Sequence, residues 1–299
     1  LTQQRLAPAD FEVIVVSDGP DEQTQLALIE WKRKNALNLR FLPMPTKKGP
    51  AAGRNFGWLS AKSPLIAFTD DDCIPQKNWL STFLEAYQFP LELAFTGYTQ
   101  VPLPAEPTDY ALNTAGLESA EFITANCACS KSALVKIGGF DERFKMAWRE
   151  DSDLEFKLLN MNIPIIKLQD ARIIHPVRNA PWGVSIKEQK KGIYDALLFK
   201  KYPELYRAKI QPKPLWNYYI INLLLLVLIT ALVQQNKALA VGSILLISVL
   251  YGNFIFKRLK NSSKSFSHIL EMFYTSILIP TISVYWRVYG AIKYRVFFL

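Results

Sequence analysis

The sequence predicts an α/β fold, a mostly parallel sheet flanked by helices, followed by a C-terminal region of membrane helices. Three observations carry that prediction. Strand-like and helix-like segments alternate over residues 11–68; two of those strands end in acidic turns; and from about residue 210 a charge-mixed sequence gives way to long uncharged runs. The chain of 299 residues therefore divides into a first domain over residues 1–210 and a membrane region over residues 211–299.

Taken in order, residues 11–16 (FEVIVV) have the composition of a strand and run into the turn Ser17-Asp18-Gly19-Pro20. Residues 23–35, with Leu26, Leu28, Ile29 and Trp31, suit a helix, and residues 39–42 a short second strand. Residues 49–61 (GPAAGRNFGWLSA) read as a helix opened by Gly and Pro. Residues 65–68 form an apolar run that suits a strand buried on both faces. This order implies βαβ units, and in such sheets ligands bind outside the carboxyl ends of the strands. Asp18 and the cluster Asp70, Asp71 and Asp72 both fall there. Three consecutive carboxylates repel one another unless something positive is near. A hard divalent cation, Mn2+ or Mg2+, is one candidate, and a solvated acidic turn is the other reading.

Residues 79–88 suit a helix, 94–101 a strand and 102–107 a proline-rich loop. The stretch 123–134 (ITANCACSKSAL) then leads through Gly138-Gly139-Phe140 to Trp148-Arg149-Glu150-Asp151. Residues 151–160 are helical in pattern, with Leu154, Leu158 and Leu159 on one side. Acids in a first turn favour the helix dipole, so Glu150 and Asp151 read either as an ordinary helix start or as chemistry. Residues 163–168 suit a strand, and 171–175 an extended piece ending at His175. That histidine is either a surface residue before Pro176 or part of a metal shell. The other histidine, His268, lies beside an apolar run and reads as incidental.

Net charge is +9, yet Lys257, Arg258, Lys260, Lys264, Arg287, Lys293 and Arg295 lie beside apolar runs. That placement fits anionic lipid on a cytoplasmic membrane face, and no nucleic-acid module is present. Three cysteines, Cys73, Cys127 and Cys129, form no CxxC pair and suit a reducing compartment. Residues 217–233 and 238–256 are uncharged and near the roughly 20 residues of a bilayer span. Trp216, Tyr218 and Tyr219 suit an interfacial belt, so a transmembrane hairpin is expected. The basic loop 257–268 places both itself and the first domain in the cytoplasm. Glu271 and Pro280 interrupt a third apolar segment, residues 267–290, which is expected to be re-entrant or amphipathic in the membrane plane.

Five motifs stand in order: VVSDGP at 15–20, GPAAGRNFG at 49–57, FTDDDC at 68–73, KIGGFDERF at 136–144 and REDSDL at 149–154. Together they resemble the family 2 glycosyltransferases of the GT-A (Rossmann-like) fold, of a membrane-anchored bacterial type, over about residues 9–205. The resemblance implies that Asp18 meets the nucleotide base, Arg54 the phosphates and Asp70 the ribose. Asp71 is grouped with these nucleotide ligands and expected to turn back toward the fold. Asp72 would hold the metal, with His175 nearby; Asp151 would be the general base with Glu150 beside it, and Trp148 would line the acceptor side. The family's usual opening strand, roughly VSVVIPTYN, is expected upstream of Leu1, and Ser17 replaces one of two adjacent acids. No QxxRW segment is present, which favours one sugar per encounter. The implied activity is inverting, metal-dependent transfer from a nucleotide-diphosphate sugar to a lipid-linked or glycan acceptor at the inner cell membrane, in surface glycan synthesis. The alternative is a non-catalytic, membrane-anchored nucleotide-sugar-binding scaffold.

Overall fold

The computed structural model describes residues 1–35 and 37–298 and divides into two units, which are taken separately. Unit 1 comprises Leu1–Pro102 and Ala115–Pro176; unit 2 comprises Leu103–Thr114 and Val177–Leu299.

Unit 1 opens with β1 (Val13–Ser17), α1 (Glu22–Lys34), β2 (Leu39–Pro43) and α2 (Pro50–Ser60). It continues with β3 (Leu65–Phe68), β4 (Ile74–Pro75), α3 (Trp79–Ala86) and β5 (Ala94–Gln100). After a short helix, α4 (Asp109–Ala115), it resumes with β6 (Cys127–Ser130), α5 (Lys131–Ile137), α6 (Glu150–Asn160) and β7 (Ile165–Ile174). Local chemistry sets the helix ends. Asp21 caps α1 by accepting from the Thr24 backbone N–H at 2.9 Å, and Lys32, Arg33 and Lys34 occupy its last turn. Gly49 precedes α2 at φ 102°, where a Cβ would stand 2.6 Å from the Lys145 carbonyl oxygen, and Pro50 starts the helix.

β1 and β2 pair in parallel, as βαβ order requires. The larger sheet has the order β3-β6-β5-β7-β4 and is mixed. Only its β5–β7 pair is parallel; β6 runs antiparallel to both β3 and β5. The sheet is thus less parallel than motif order suggests, because the short CACS strand inserts between β3 and β5. The pieces expected at 163–168 and 171–175 are one strand, β7. Its pairing jumps from Gly97↔Leu168 to Tyr98↔Arg172, so the bulge absorbs the intervening residues. Alternation along the strands buries both faces. Ile66, Phe68, Cys127 and Cys129 pack with Trp58, Leu134 and Leu154, while Phe95, Ala128 and Ile173 pack with Trp79 and Phe83.

Unit 2 contains α7 (Val184–Glu188), α8 (Gly192–Lys201), α9 (Pro203–Lys209), α10 (Trp216–Val233), α11 (Lys237–Leu259) and α12 (Phe266–Tyr294). The last three are long and apolar enough to cross a membrane. The third apolar segment is a single helix of 29 residues that runs through Pro280. Arg258 near the end of α11 donates to Asp109 at 2.7 Å and to Thr275 at 2.7 Å, joining α4, α11 and α12. His268 is not incidental: it is buried, and its Nε2 accepts from the Asp109 backbone N–H at 3.3 Å.

Candidate active site

Three chain ends of unit 1 meet at one place: the turn after β3, the start of α6 and the end of β7. Arg54, one turn into α2, ties the first two together. Its Nη2 donates to Asp70 Oδ1 at 3.0 Å and its Nη1 to Glu150 Oε1 at 2.9 Å, with the Phe140 ring 5.9 Å away. Burial alone would favour the neutral guanidinium, but the Glu150 and Asp70 carboxylates outweigh it and strengthen its hold on the proton. Asn55, the next residue, is buried and stitches the GGFDE segment to α2. Its Nδ2 donates to Phe140 O at 2.9 Å and its Oδ1 accepts from Phe140 N–H at 2.9 Å.

The start of α6 is shaped by Arg149, a non-glycine residue in the left-handed region at φ 73°. Directly after it stand Glu150, buried, and Asp151, half-buried. Burial, then the neighbouring Asp151 charge, push the Glu150 carboxyl up to about 7 against the opposing pull of Arg54. Its Oε2 is buried with no hydrogen-bond partner among the described residues. Asp151 is also raised, by burial first, although its Oδ1 accepts from the Ser152 backbone N–H at 2.7 Å. Both members of the acidic pair are therefore more basic than ordinary carboxylates.

A folded value above the usual glutamate 4.5 means that Glu150 favours folding when protonated. That contribution is full below about pH 4.5 and disappears as pH rises through about 7. Against Glu150→Gln, which stays neutral, the wild type should lose up to about 3 kcal/mol across this window. Thermal unfolding of both proteins from pH 4.5 to 8 checks it, and parallel profiles would show that Arg54 keeps Glu150 ionised throughout.

The turn after β3 separates its three aspartates. Asp70 is held by Arg54, Asp72 is half-buried, and Asp71 is exposed rather than turned back toward the fold. β4 explains how His175 joins them. Ile74 and Pro75 pair antiparallel with Ile174 and Ile173, so the residues flanking this short ladder, Cys73 and His175, come side by side. His175 Nε2 lies 4.0 Å from Asp70 Oδ2, while Nδ1 is 3.2 Å from the Pro176 carbonyl, which only an N–H can satisfy. One ligand atom from each of Asp72, Cys73 and His175 lies within 4.8 Å of the others. A carboxylate oxygen and an imidazole nitrogen at this spacing fit a divalent metal ion. Burial, with Asp70 and Asp72 close by, pushes the Cys73 thiol up to about 12.

The Asp18 carboxylate accepts from the backbone N–H groups of Lys48 at 2.6 Å and Gly49 at 2.9 Å, organising the entry to α2. Trp148 is partly exposed, with the Arg149 guanidinium 4.5 Å above its ring. Sequence reasoning named Arg54 and Glu150 separately and missed their ion pair, and it gave Cys73 no part in the site. The adjacency of Cys73 to the aspartates was visible; its adjacency to His175 required the β4–β7 ladder.

Residues 1–136 match the family model described as Glycosyl transferase family 2. The pre-mycofactocin glycosyltransferase of Mycobacterium tuberculosis is 29% identical over 168 residues, covering 50% of this chain and 34% of that protein. The validoxylamine A glucosyltransferase of Streptomyces hygroscopicus subsp. limoneus is 23% identical over 227 residues, 64% of this chain and 48% of the relative. The chain thus spans about a third to a half of the length of these relatives. In fold it is similar to the mannosyltransferase PcManGT from Pyrobaculum calidifontis, solved with GDP-Man and Mn2+. The TM-score is 0.59 at 16% identity, covering 98% of this chain and 80% of that one. The motifs, the family model over residues 1–136 and the fold thus point the same way: the chain is similar to the family 2 glycosyltransferases and shares their GT-A architecture.

Proposed function

We propose that the chain transfers a single sugar, with inversion, from a nucleotide-diphosphate sugar to a membrane-associated acceptor, lipid-linked or a growing surface glycan. The observation that carries this reading is the Arg54 bridge, which brings the acidic turn suited to a donor and the acidic pair suited to a base into one site. Asp70 faces the ribose, with Asp71 beside it at the nucleotide, and Asp18 lies toward the base. Asp72 and His175 would hold Mn2+ or Mg2+, and such an ion would supply charge neutralisation for the departing diphosphate. Arg54 adds a fixed positive charge near those phosphates. Asp151 accepts the proton of the attacking acceptor hydroxyl at its carboxylate, with Trp148 on the acceptor side. Glu150, anchored by Arg54, holds the start of α6 against the donor turn. The mannosyltransferase PcManGT was solved with a nucleotide sugar and Mn2+, which supports a donor and ion of this class.

In this reading the three apolar helices, each long enough to cross a membrane, hold the chain at the inner cell membrane with unit 1 in the cytoplasm. Asp72→Ala should weaken metal-dependent donor binding by about tenfold or more. Calorimetry with a nucleotide sugar, with and without Mn2+, measures this, and unchanged affinity would remove Asp72 from the metal's ligands. One observation favours the scaffold alternative, since the Asp18 carboxylate is committed to backbone amides. Mn2+-dependent donor hydrolysis by the purified protein decides between the two.

A further inference from the structure

Cys73 adds to the site a ligand of a different chemical kind. Its Sγ lies 3.9 Å from Asp72 Oδ1. In a tetrahedral zinc site, bonds of about 2.3 Å to sulfur and about 2.1 Å to oxygen set those two atoms about 3.6 Å apart. The observed pair is within a few tenths of an ångström of that spacing. The third ligand is prepared as well: the contact of His175 Nδ1 with the Pro176 carbonyl leaves Nε2 with the lone pair. Nε2 is also the nitrogen 4.0 Å from Asp70 Oδ2. The three donor atoms gather within 4.8 Å because β4 pairs with the end of β7. A hard ion draws on the carboxylate and the imidazole, whereas a borderline or soft ion gains the sulfur in addition.

We propose that Cys73 sets the metal selectivity of this site, by holding Zn2+ or Cd2+ through Asp72, Cys73 and His175 in competition with the hard ion used for transfer. This rests on the reading of Asp72 and His175 as metal ligands. The sulfur–metal bond forms as the S–H bond breaks and its proton passes to solvent, with no change in oxidation state. The thiolate then takes a coordination position on Zn2+ that a donor diphosphate would otherwise fill, so Zn2+ bound by all three residues inhibits rather than supports transfer.

The test titrates Cd2+ and, separately, Mn2+ into the full chain without donor. Calorimetry gives the affinities, and the ultraviolet charge-transfer band of a Cd–thiolate bond reports sulfur ligation. Wild type is compared with Cys73→Ser, Cys73→Ala and Asp72→Ala. Wild type should show the band and bind Cd2+ about tenfold or more tightly than either Cys73 variant, while Mn2+ affinity moves by less than about threefold. The two other cysteines, Cys127 and Cys129, are fully buried on β6. Equal Cd2+ affinity or an equal band in both Cys73 variants overturns the proposal and leaves the Asp72 and His175 reading standing. Asp72→Ala binding both ions as wild type does would overturn that reading, and the proposal with it.

Discussion

Asp151→Asn should lower sugar transfer by about 10²–10⁴-fold while donor affinity stays within a few-fold of wild type. The substitution is nearly isosteric, and its side-chain oxygen still accepts the Ser152 backbone N–H that Asp151 uses at 2.7 Å. What disappears is the ability to take a proton. Burial raises the basicity of the Asp151 carboxylate, which improves its match to an acceptor hydroxyl. Glu150 cannot stand in, because its Oε1 is bound to Arg54. Product formation by mass spectrometry, with donor affinity by calorimetry, separates the outcomes. Unimpaired turnover would place the base elsewhere, and lost donor affinity would move Asp151 to the donor side.

Arg54→Met should cost about 3 kcal/mol of stability at pH 8 and abolish tight donor binding. Its guanidinium pairs with both Asp70 and Glu150, whose side chains are 32% and 5% exposed. Methionine keeps the packing against Phe140 and removes the charge, so Glu150 is left buried and uncompensated. That carboxyl answers by holding its proton more tightly, so the cost shrinks at pH 5 and grows toward pH 8. Urea unfolding at the two pH values gives the comparison. A pH-independent cost would mean that the loss is one of packing alone.

The parts of the fold legible in the sequence were those that apolar runs or helix patterns announce. β1, β3, β5, α2 and α6 lie within a few residues of where composition places them. β6 was not legible, since Cys-Ala-Cys-Ser has neither an apolar run nor a polar alternation, and its place depends on partners on both sides. β4 has two residues, too few for any periodicity. The same limit governed the site. Asp70, Asp72 and Asp151 stand out because they belong to motifs, whereas the Arg54–Glu150 pair spans 96 residues of sequence and exists only through folding. The burial of His268 likewise depends on neighbours far along the chain.

The excursion Leu103–Thr114, which leaves unit 1 and belongs to unit 2, bears on how the molecule can be divided. Ending the chain near residue 210 would keep this excursion but discard Arg258, the partner of Asp109, and Ser263, which donates to Glu106. A fragment made by that single cut would carry the loop and first turns of α4 without their partners, and replacing residues 103–114 by a short linker is the better route to one. The same interleaving means that recombination at one crossover cannot exchange the C-terminal helices between relatives without also breaking the Asp109–Arg258 lock. Residues 103–114 and the C-terminal helices therefore have to be exchanged together or not at all.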